Sequence, residues 1–472
     1  MTTTLTLKTT AALLATLFLA GCASFSSDGG FSPVEKTAKD RIDKDVKWVR
    51  SNDDQKSIDQ RVAELLQKPL SVDDAVQIAL LNNKGLQASF FELGISEADL
   101  VQAGRLPNPR FSMLRARYQD EYKIEQAFTF NVFSLITMPL ARQVEHRRFA
   151  QTQRQITIDV LRLAADTRKA YYMALASQQT VEYMGQVKEA AEAGAELAKR
   201  MTQVGNWSKL AQAKEQSFYA DATVQAARAR QSAVSSREQL TRLMGLWGKQ
   251  IEYKLPERLP DLPKSADELP NLEAQAMEQR LDLQAARLET EGLANNLGLT
   301  KATRFINVLE LGPARVLEGH KSDPYKKGYE ISFELPIFDW GTAKVSKAES
   351  IYMQAVNRAA ETAVNARSEV RESYQGYRTA FDVAKHYRDE IVPLKKRISD
   401  ENVLRYNGML LSVFDLLADA RSQIMSVNGY IEALRDFWLA KSDLDMAMIG
   451  KPSASSVPAS MSATASDNAG GH

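Results

Sequence analysis

Residues 329–341 read Tyr329-Glu330-Ile331-Ser332-Phe333-Glu334-Leu335-Pro336-Ile337-Phe338-Asp339-Trp340-Gly341, and their order decides the fold. From Tyr329 to Leu335 apolar and polar residues alternate, the period of a strand with one wet and one apolar face. Pro336 cannot donate to a sheet ladder and ends the pairing, while Gly341 allows a sharp turn. Asp339 or Thr342 is placed to cap a helix. Beyond Gly341 the period changes: Val345, Ala348, Tyr352, Ala355, Ala359, Thr362 and Ala366 step by three and four, which marks a coiled-coil seam. Between Thr342 and Asn407 the one proline is Pro393, so the helix is predicted to run roughly 60 residues, about 90 Å at 1.5 Å per residue.

The same order occurs earlier in the chain. Ala79, Leu86, Gln87 and Ala88 are answered by Ala276, Leu283, Gln284 and Ala285; Phe130 is answered by Phe333, Gly205 by Gly408, and Leu243-Met244-Gly245 by Met448-Ile449-Gly450. Each half is therefore expected to hold a medium helix, a hairpin, a very long helix, a glycine break and a second long helix. In the first half the medium helix spans about Val72 to Gln102 and is stopped by Gly104, Pro107 and Pro109. Leu114, Ala116 and Tyr118 then alternate with Arg115 and Arg117; Tyr122, Ile124, Phe128, Phe130 and Val132 alternate with Lys123, Glu125, Thr129 and Asn131. This reads as a hairpin with one charged face. The long helix is expected from about Gln143 to Val204, its seam made by Ile156, Val160, Leu163, Thr167, Ala170 and Ala174. In the second half the weaker strand is Ile306 to Leu311. The faces away from the seams are rich in Arg, Lys, Glu, Asp and Gln, so the helices stand in water.

Strands of about ten residues suit a tilted membrane crossing as well as a soluble hairpin. Strand number is more informative. An open four-stranded sheet in lipid leaves two edges of unpaired backbone groups, each costing several kcal/mol, so a membrane sheet must close. Membrane barrels begin at about eight strands. If these hairpins enter a membrane, several chains must share one barrel.

The chain has 472 residues, 44% hydrophobic and 25% charged, with 60 Lys and Arg against 59 Asp and Glu. A net charge of +1 supplies no basic excess for a polyanion, which excludes nucleic acid as a partner. One cysteine and four histidines make neither a disulfide framework nor a Cys/His zinc site. No cofactor site, no metal ligand set and no nucleophile with His and acid partners is visible, so no enzyme activity is expected. At the N-terminus Lys8 precedes an apolar run from Ala11 to Ala20 that has the length of a signal peptide and is too short to span a bilayer. It ends Leu19-Ala20-Gly21-Cys22, which resembles a bacterial lipobox.

The segments are read as a lipoprotein signal peptide over 1–21, a lipid-anchored arm over 22–70, a first repeat over 71–250 with its hairpin at 110–135, a second repeat over 251–450 with its hairpin at 305–336, and a disordered tail over 451–472. In this order they resemble the outer-membrane efflux protein family typified by TolC, over nearly the whole mature chain. Leu335 to Gly341 is similar to the family's strand-to-helix junction. Arg405-Tyr406-Asn407-Gly408, with Ser412 and Asp415-Leu416-Leu417, is similar to its helical tip. Thr137-Met138-Pro139-Leu140 departs from the junction pattern, and Ala418 stands where a second acid is usual, with Asp419 one residue later.

The resemblance implies a fold that is mainly α with a small β part: a homotrimer whose long coiled-coil helices form a periplasmic α-barrel tunnel, and whose four strands per chain complete a shared twelve-stranded transmembrane β-barrel. It implies a passive outer-membrane exit duct, partnered by a periplasmic adaptor and an inner-membrane pump. Gly205, Asn206, Ser208, Arg405, Tyr406, Gly408 and Ser412 become adaptor-contact candidates, and Asp415 and Asp419 candidates for a periplasmic gate. Arg115, Arg117, Lys123, Glu125, Glu330 and Glu334 are expected to line the barrel lumen. Two alternatives stay open: an exit duct for secreted polypeptides, and a lipid-anchored structural coiled coil without a pore. The lipobox reading makes Cys22 the lipid attachment site. Several acyl chains, at about 0.8 kcal/mol per buried methylene, would hold the protein to the outer membrane. Cys22→Ala is expected to abolish incorporation of labelled fatty acid; continued labelling would contradict the assignment.

Overall fold

The helix that follows each hairpin begins where a side chain or a glycine carbonyl captures its first turn. A computed structural model describes residues 24–305 and 308–452; Cys22, the segment before it and the tail from residue 453 lie outside the described residues. The chain divides into two units. One gathers the chain up to Arg61 with Leu80–Val160 and Arg280–Asn365; the other holds Val62–Ala79, Leu161–Gln279 and the chain from Ala366 onward.

In the first unit the arm is helical, with α1 over Ser32–Ile42 and α2 over Asn52–Leu65. Its Phe31 packs edge-on against Phe90 with centroids 4.9 Å apart, and Trp48 meets Phe91 at 5.5 Å. Gln87 accepts the Val49 N–H at 3.0 Å and donates to the Lys47 carbonyl at 2.8 Å. The single medium helix expected from Val72 is two helices, α3 (Val72–Asn82) and α4 (Lys84–Ala103). Asn83, extended, caps α4 by accepting the Leu86 N–H. The second half breaks at the equivalent place, between α7 (Leu272–Gln279) and α8 (Leu281–Thr303), where Arg280 is extended and fully buried. Its guanidinium is 2.6 Å from Asp282.

Four strands form one antiparallel sheet in chain order: β1 (Arg110–Tyr118), β2 (Glu121–Asn131), β3 (Leu309–Gly319) and β4 (Lys326–Phe333). The first hairpin closes on Gln119 and Asp120, with Tyr118 opposite Glu121. It ends earlier than residue 135. Asn131 accepts the Ser134 N–H at 2.8 Å, and this cap starts the long helix α5 at Val132, with Pro139 inside it. Val132 to Leu135 are therefore helical.

In the second hairpin the weak strand lies later than expected, running to Gly319 through Gly312 and Pro313. The β2–β3 ladder skips Phe128 and Thr129, opposite Gly312 and Pro313, since proline has no N–H to give. Gly312 is required there by crowding: a Cβ on it would stand 1.7 Å from the Phe128 carbonyl oxygen. At the second junction Asp339 accepts the Gly341 N–H at 2.8 Å, and the Gly341 carbonyl takes the first helical bond, from Val345. Asp339 thus acts on the turn at Gly341, just ahead of the helix.

The second unit is built from long helices: α5 (Val132–Gln203), α6 (Lys209–Met244), α9 (Thr342–His386), α10 (Val392–Asn407) and α11 (Val413–Ala447), with α5 and α9 entering it from residues 161 and 366. A π-helical turn over Tyr387–Ile391 separates α9 from α10. It sits just before Pro393, where a widened turn relieves the clash between the proline ring and the preceding carbonyl. Thr167, Ala170 and Ala174 of the first seam are buried. Tyr172 stacks on Trp438 at 5.3 Å, and Tyr377 and Phe437 meet at 5.6 Å. Burial pushes the Tyr171 phenol up to about 12, and its hydroxyl donates to the Leu70 carbonyl at 2.9 Å. The proline-rich link between the halves is strapped across these helices: Trp438 donates to the Pro260 carbonyl at 3.0 Å, Tyr377 accepts the Asp267 N–H at 2.9 Å, and Lys441 pairs with Asp267 at 2.9 Å.

Gly312→Ala is expected to disrupt the β2–β3 pairing and sharply lower the yield of detergent-stable protein. Gly328→Ala, across the same face with nothing within 4 Å, is expected to be silent. Equal yields from the two would contradict the register.

Candidate functional site

Directly opposed residues of an antiparallel pair point to the same face, so the register sorts every strand residue. Face one holds Phe111, Met113, Arg115 and Arg117 of β1 with their partners Phe128, Gln126, Ile124 and Tyr122 of β2. It continues through Leu311, Arg315 and Leu317 to Lys327, Ile331 and Phe333. The second face holds Ser112, Leu114 and Ala116 with Ala127, Glu125 and Lys123, then Glu310, Ala314 and Glu318 with Lys326, Gly328, Glu330 and Ser332. The contacts agree with this sorting. Phe111 and Phe128 meet at 5.7 Å on face one; Glu310 lies 3.4 Å from Arg110 and accepts from Thr129 at 3.3 Å on face two.

The register corrects the expected lumen. Arg115 and Arg117 stand on the opposite face from Lys123 and Glu125, because the apolar side of β1 changes face between Met113 and Leu114. Of the six residues expected together, Lys123, Glu125 and Glu330 share face two, with Lys123 and Glu125 paired at 2.9 Å. Glu334 follows the last residue of β4. Reading the sequence missed Arg110, Glu310, Glu318 and Lys326 on face two, of which Glu318 and Lys326 pair at 3.4 Å. Misplacing β3 hid Glu318.

The edges are bare. Every residue of β1 and β4 is exposed. The ends of the strands away from the turns continue into exposed apolar residues, among them Leu335, Ile337, Phe338 and Trp340. No helix among the described residues is long and apolar enough to cross a membrane.

The two tips of the second unit share one construction. After α5, the Asn206 N–H reaches the Met201 carbonyl at 2.9 Å and the Gly205 N–H reaches Thr202 at 3.1 Å, a Schellman closure with Gly205 left-handed at φ +78°. Ser208 then caps α6 by accepting the Ala211 N–H at 3.1 Å. After α10, Leu410 reaches Arg405 at 2.8 Å and Met409 reaches Tyr406 at 2.9 Å. Ser412 caps α11, accepting the Asp415 N–H at 3.2 Å and donating to the Asp415 carboxylate at 2.7 Å. The left-handed residue here is Met409, at φ +58°, while Gly408 has φ −81°. The structural counterpart of Gly205 is thus Met409, one residue past the expected glycine. Met409 is 94% exposed and Leu410 81%. At the tips, Arg405 pairs with Glu401 at 3.1 Å, and the Arg200 guanidinium beside Glu196 holds its carboxyl below the usual range.

Above the tips Arg421 of α11 pairs with the buried Glu215 of α6 and lies 4.0 Å over the Phe218 ring. Val187, Ala191 and Ala222 form a small core beside it, covered by Phe218 and Ile424. The two gate candidates differ. Asp415 is exposed and engaged by the Ser412 cap; Asp419 is half-buried, and one of its carboxylate oxygens has no partner. No group of three or more His, Cys, Asp or Glu able to hold a metal ion occurs among the described residues.

Gly205→Ala is expected to lower the thermal midpoint through a cost of about 1 kcal/mol for the left-handed backbone. Gly408→Ala should be neutral or stabilising, and Met409→Gly should stabilise by about 1 kcal/mol. Equal losses from Gly205→Ala and Gly408→Ala would contradict this assignment.

No family model matches the chain. Over 278 residues it is 25% identical to the cobalt-zinc-cadmium resistance protein CzcC of Cupriavidus metallidurans, a match covering 57% of this chain and 64% of the relative. The chain thus spans under two thirds of that relative's length. Among solved structures it resembles CusC, with TM-score 0.66 and 16% identity over 80% of this chain and 92% of the other. It also resembles the CmeC outer membrane channel of Campylobacter jejuni, with TM-score 0.65 and 16% identity over 86% and 89%. The open state of the MtrE outer membrane channel of Neisseria gonorrhoeae matches at TM-score 0.65 and 18% identity, over 80% and 89%. The chain has the fold of these outer-membrane channels.

Proposed function

We propose that the chain is the outer-membrane exit duct of a tripartite efflux system: a lipid-anchored homotrimer that passively conducts ions or small molecules received from a periplasmic adaptor and an inner-membrane pump. The observation that carries this reading is a sheet with two entirely exposed edge strands, an apolar belt on one face away from the turns and all its strand carboxylates on the other. In water such edges invite aggregation, and in lipid each unpaired group costs several kcal/mol. Three copies joined β1 to β4 form a closed barrel of twelve strands, face one toward lipid and face two toward water. The second coiled-coil seam supports the same assembly. Val345, Ala348, Tyr352, Ala359 and Thr362 stay only half-buried in one chain, a surface suited to a neighbouring protomer.

Transport needs no chemistry in this component. A lumen of mixed charges, with Arg110–Glu310 and Lys123–Glu125 pairs, offers a hydrated path without a tight site that would trap its cargo. The relative named for cobalt, zinc and cadmium resistance favours inorganic cations as cargo. At the helical end, Gly205, Asn206, Ser208, Arg405, Tyr406, Gly408 and Ser412, now with Met409 and Leu410, form the adaptor-contact surface. Asp419 is taken as the stronger gate residue, since one of its carboxylate oxygens is buried without a hydrogen-bond partner and its charge is uncompensated there, whereas Asp415 serves its helix cap. The Arg421–Glu215 pair holds α11 against α6 and thereby sets the position of Asp419.

Purified protein in a planar bilayer tests the duct. Wild type is expected to give discrete ion-conducting steps, and Asp419→Asn to change the cation-to-anion permeability ratio by about twofold or more, with Asp415→Asn closer to wild type. Absence of conductance would overturn the duct, and an unchanged ratio in Asp419→Asn would remove that residue from the gate.

A further inference from the structure

Face one of the sheet is not uniformly apolar. Its half away from the turns carries Phe111, Phe128, Phe130, Ile331 and Phe333, all of them exposed. Its half toward the turns carries Arg115, Arg117, Arg315 and Lys327, whose opposed partners are Ile124, Tyr122, Gln126 and Arg315. No strand residue of this face is acidic: Glu121, Glu125, Glu310, Glu318 and Glu330 all stand on face two. The three arginines are laid against aromatic rings and not against carboxylates of the sheet. Arg117 and Arg115 lie 5.3 Å and 5.8 Å from the Tyr122 ring centre, and Arg315 lies 4.8 Å from that of Tyr325. Arg315 also donates to Gln126 at 2.6 Å. The nearest acid is Asp120 in the turn, 3.7 Å from Arg117 and 89% exposed, where water screens it.

Resting on the barrel reading above, we propose that Arg115, Arg117, Arg315 and Lys327 form a collar that binds the phosphate groups of glycolipid headgroups in the leaflet at the hairpin turns. Aromatic rings and long basic side chains at the end of an apolar belt suit the boundary between hydrocarbon and headgroup, where a cation's stem stays in the apolar layer and its charge reaches outward. Guanidinium groups match phosphate oxygens in bidentate geometry, and a row of them without acids has net attraction for an anionic surface. Three protomers repeat the collar around the barrel. The acids on the other face leave the lumen side mixed in charge, so the asymmetry belongs to the lipid-facing side alone.

Native mass spectrometry of the full chain in detergent, titrated with diphosphorylated lipid A and with the same lipid stripped of phosphate, reads this directly. Wild type is expected to retain the phosphorylated lipid about fivefold better, with the preference falling as salt rises. A variant with all four residues changed to Gln should lose the preference. Arg115→Gln alone should weaken it and Arg115→Lys should keep most of it, which covers failure of the fourfold variant to assemble. Conductance of the same preparations in zwitterionic bilayers separates the two readings. Wild type that conducts yet shows no preference, or a preference that survives Arg115→Gln and the fourfold change alike, overturns the collar alone; wild type that neither conducts nor enters bilayers overturns the barrel and the collar with it.

Discussion

The backbone of β1 and β4 sets the terms for the rest of the molecule. Each edge presents N–H and C=O groups that the chain itself does not pair, and a sheet so bounded is stable in a membrane only when its edges meet other strands. In the trimer proposed above, sheet closure by copies of the same chain fixes what the other parts must do. The helices must start in step with the strands, so that neighbouring protomers close at both levels, and the capping by Asn131 and by the Gly341 carbonyl sets those starting points. The close approach at Gly312 and the missing N–H of Pro313 hold the register that puts every strand carboxylate on one face.

Much of this was legible in the sequence because hydrophobic period and proline placement report it directly. The period of two at Tyr329 to Leu335, the periods of three and four beyond Gly341, and the doubled order of elements identify strands, long helices and repeat. Registers and caps were less visible. The alternation of Arg115 and Arg117 with apolar neighbours looks the same whichever face it occupies, and only the pairing of Arg115 with Ile124 and Arg117 with Tyr122 decides it. Pro313 disguises β3 in the sequence, since proline is rare away from edges and irregular positions. The structure accommodates it at a gap in the ladder.

The tips illustrate a different loss of signal. Glycine is the residue expected at a left-handed helix end, and Gly408 drew attention from Met409, which takes that conformation although it carries a side chain. A methionine held at φ +58° and almost wholly exposed is costly alone, as left-handed backbone disfavours a Cβ. Ion pairs over long sequence separations, such as Glu215 with Arg421, are likewise invisible to local pattern. They depend on which helix faces meet, and Asp419 owes its position to that packing more than to its spacing from Asp415.

Closure between protomers is open to direct measurement by cysteine crosslinking of β1 to β4, with one cysteine in each strand of the same chain, scanned from Ser112 to Ala116 and from Gly328 to Ser332, in protein held in detergent. Shared closure by three chains predicts oxidised products that form a ladder ending at three chains on a denaturing gel, and only for pairs on matching faces. Product confined to single chains, or a ladder with no end at three, would contradict it.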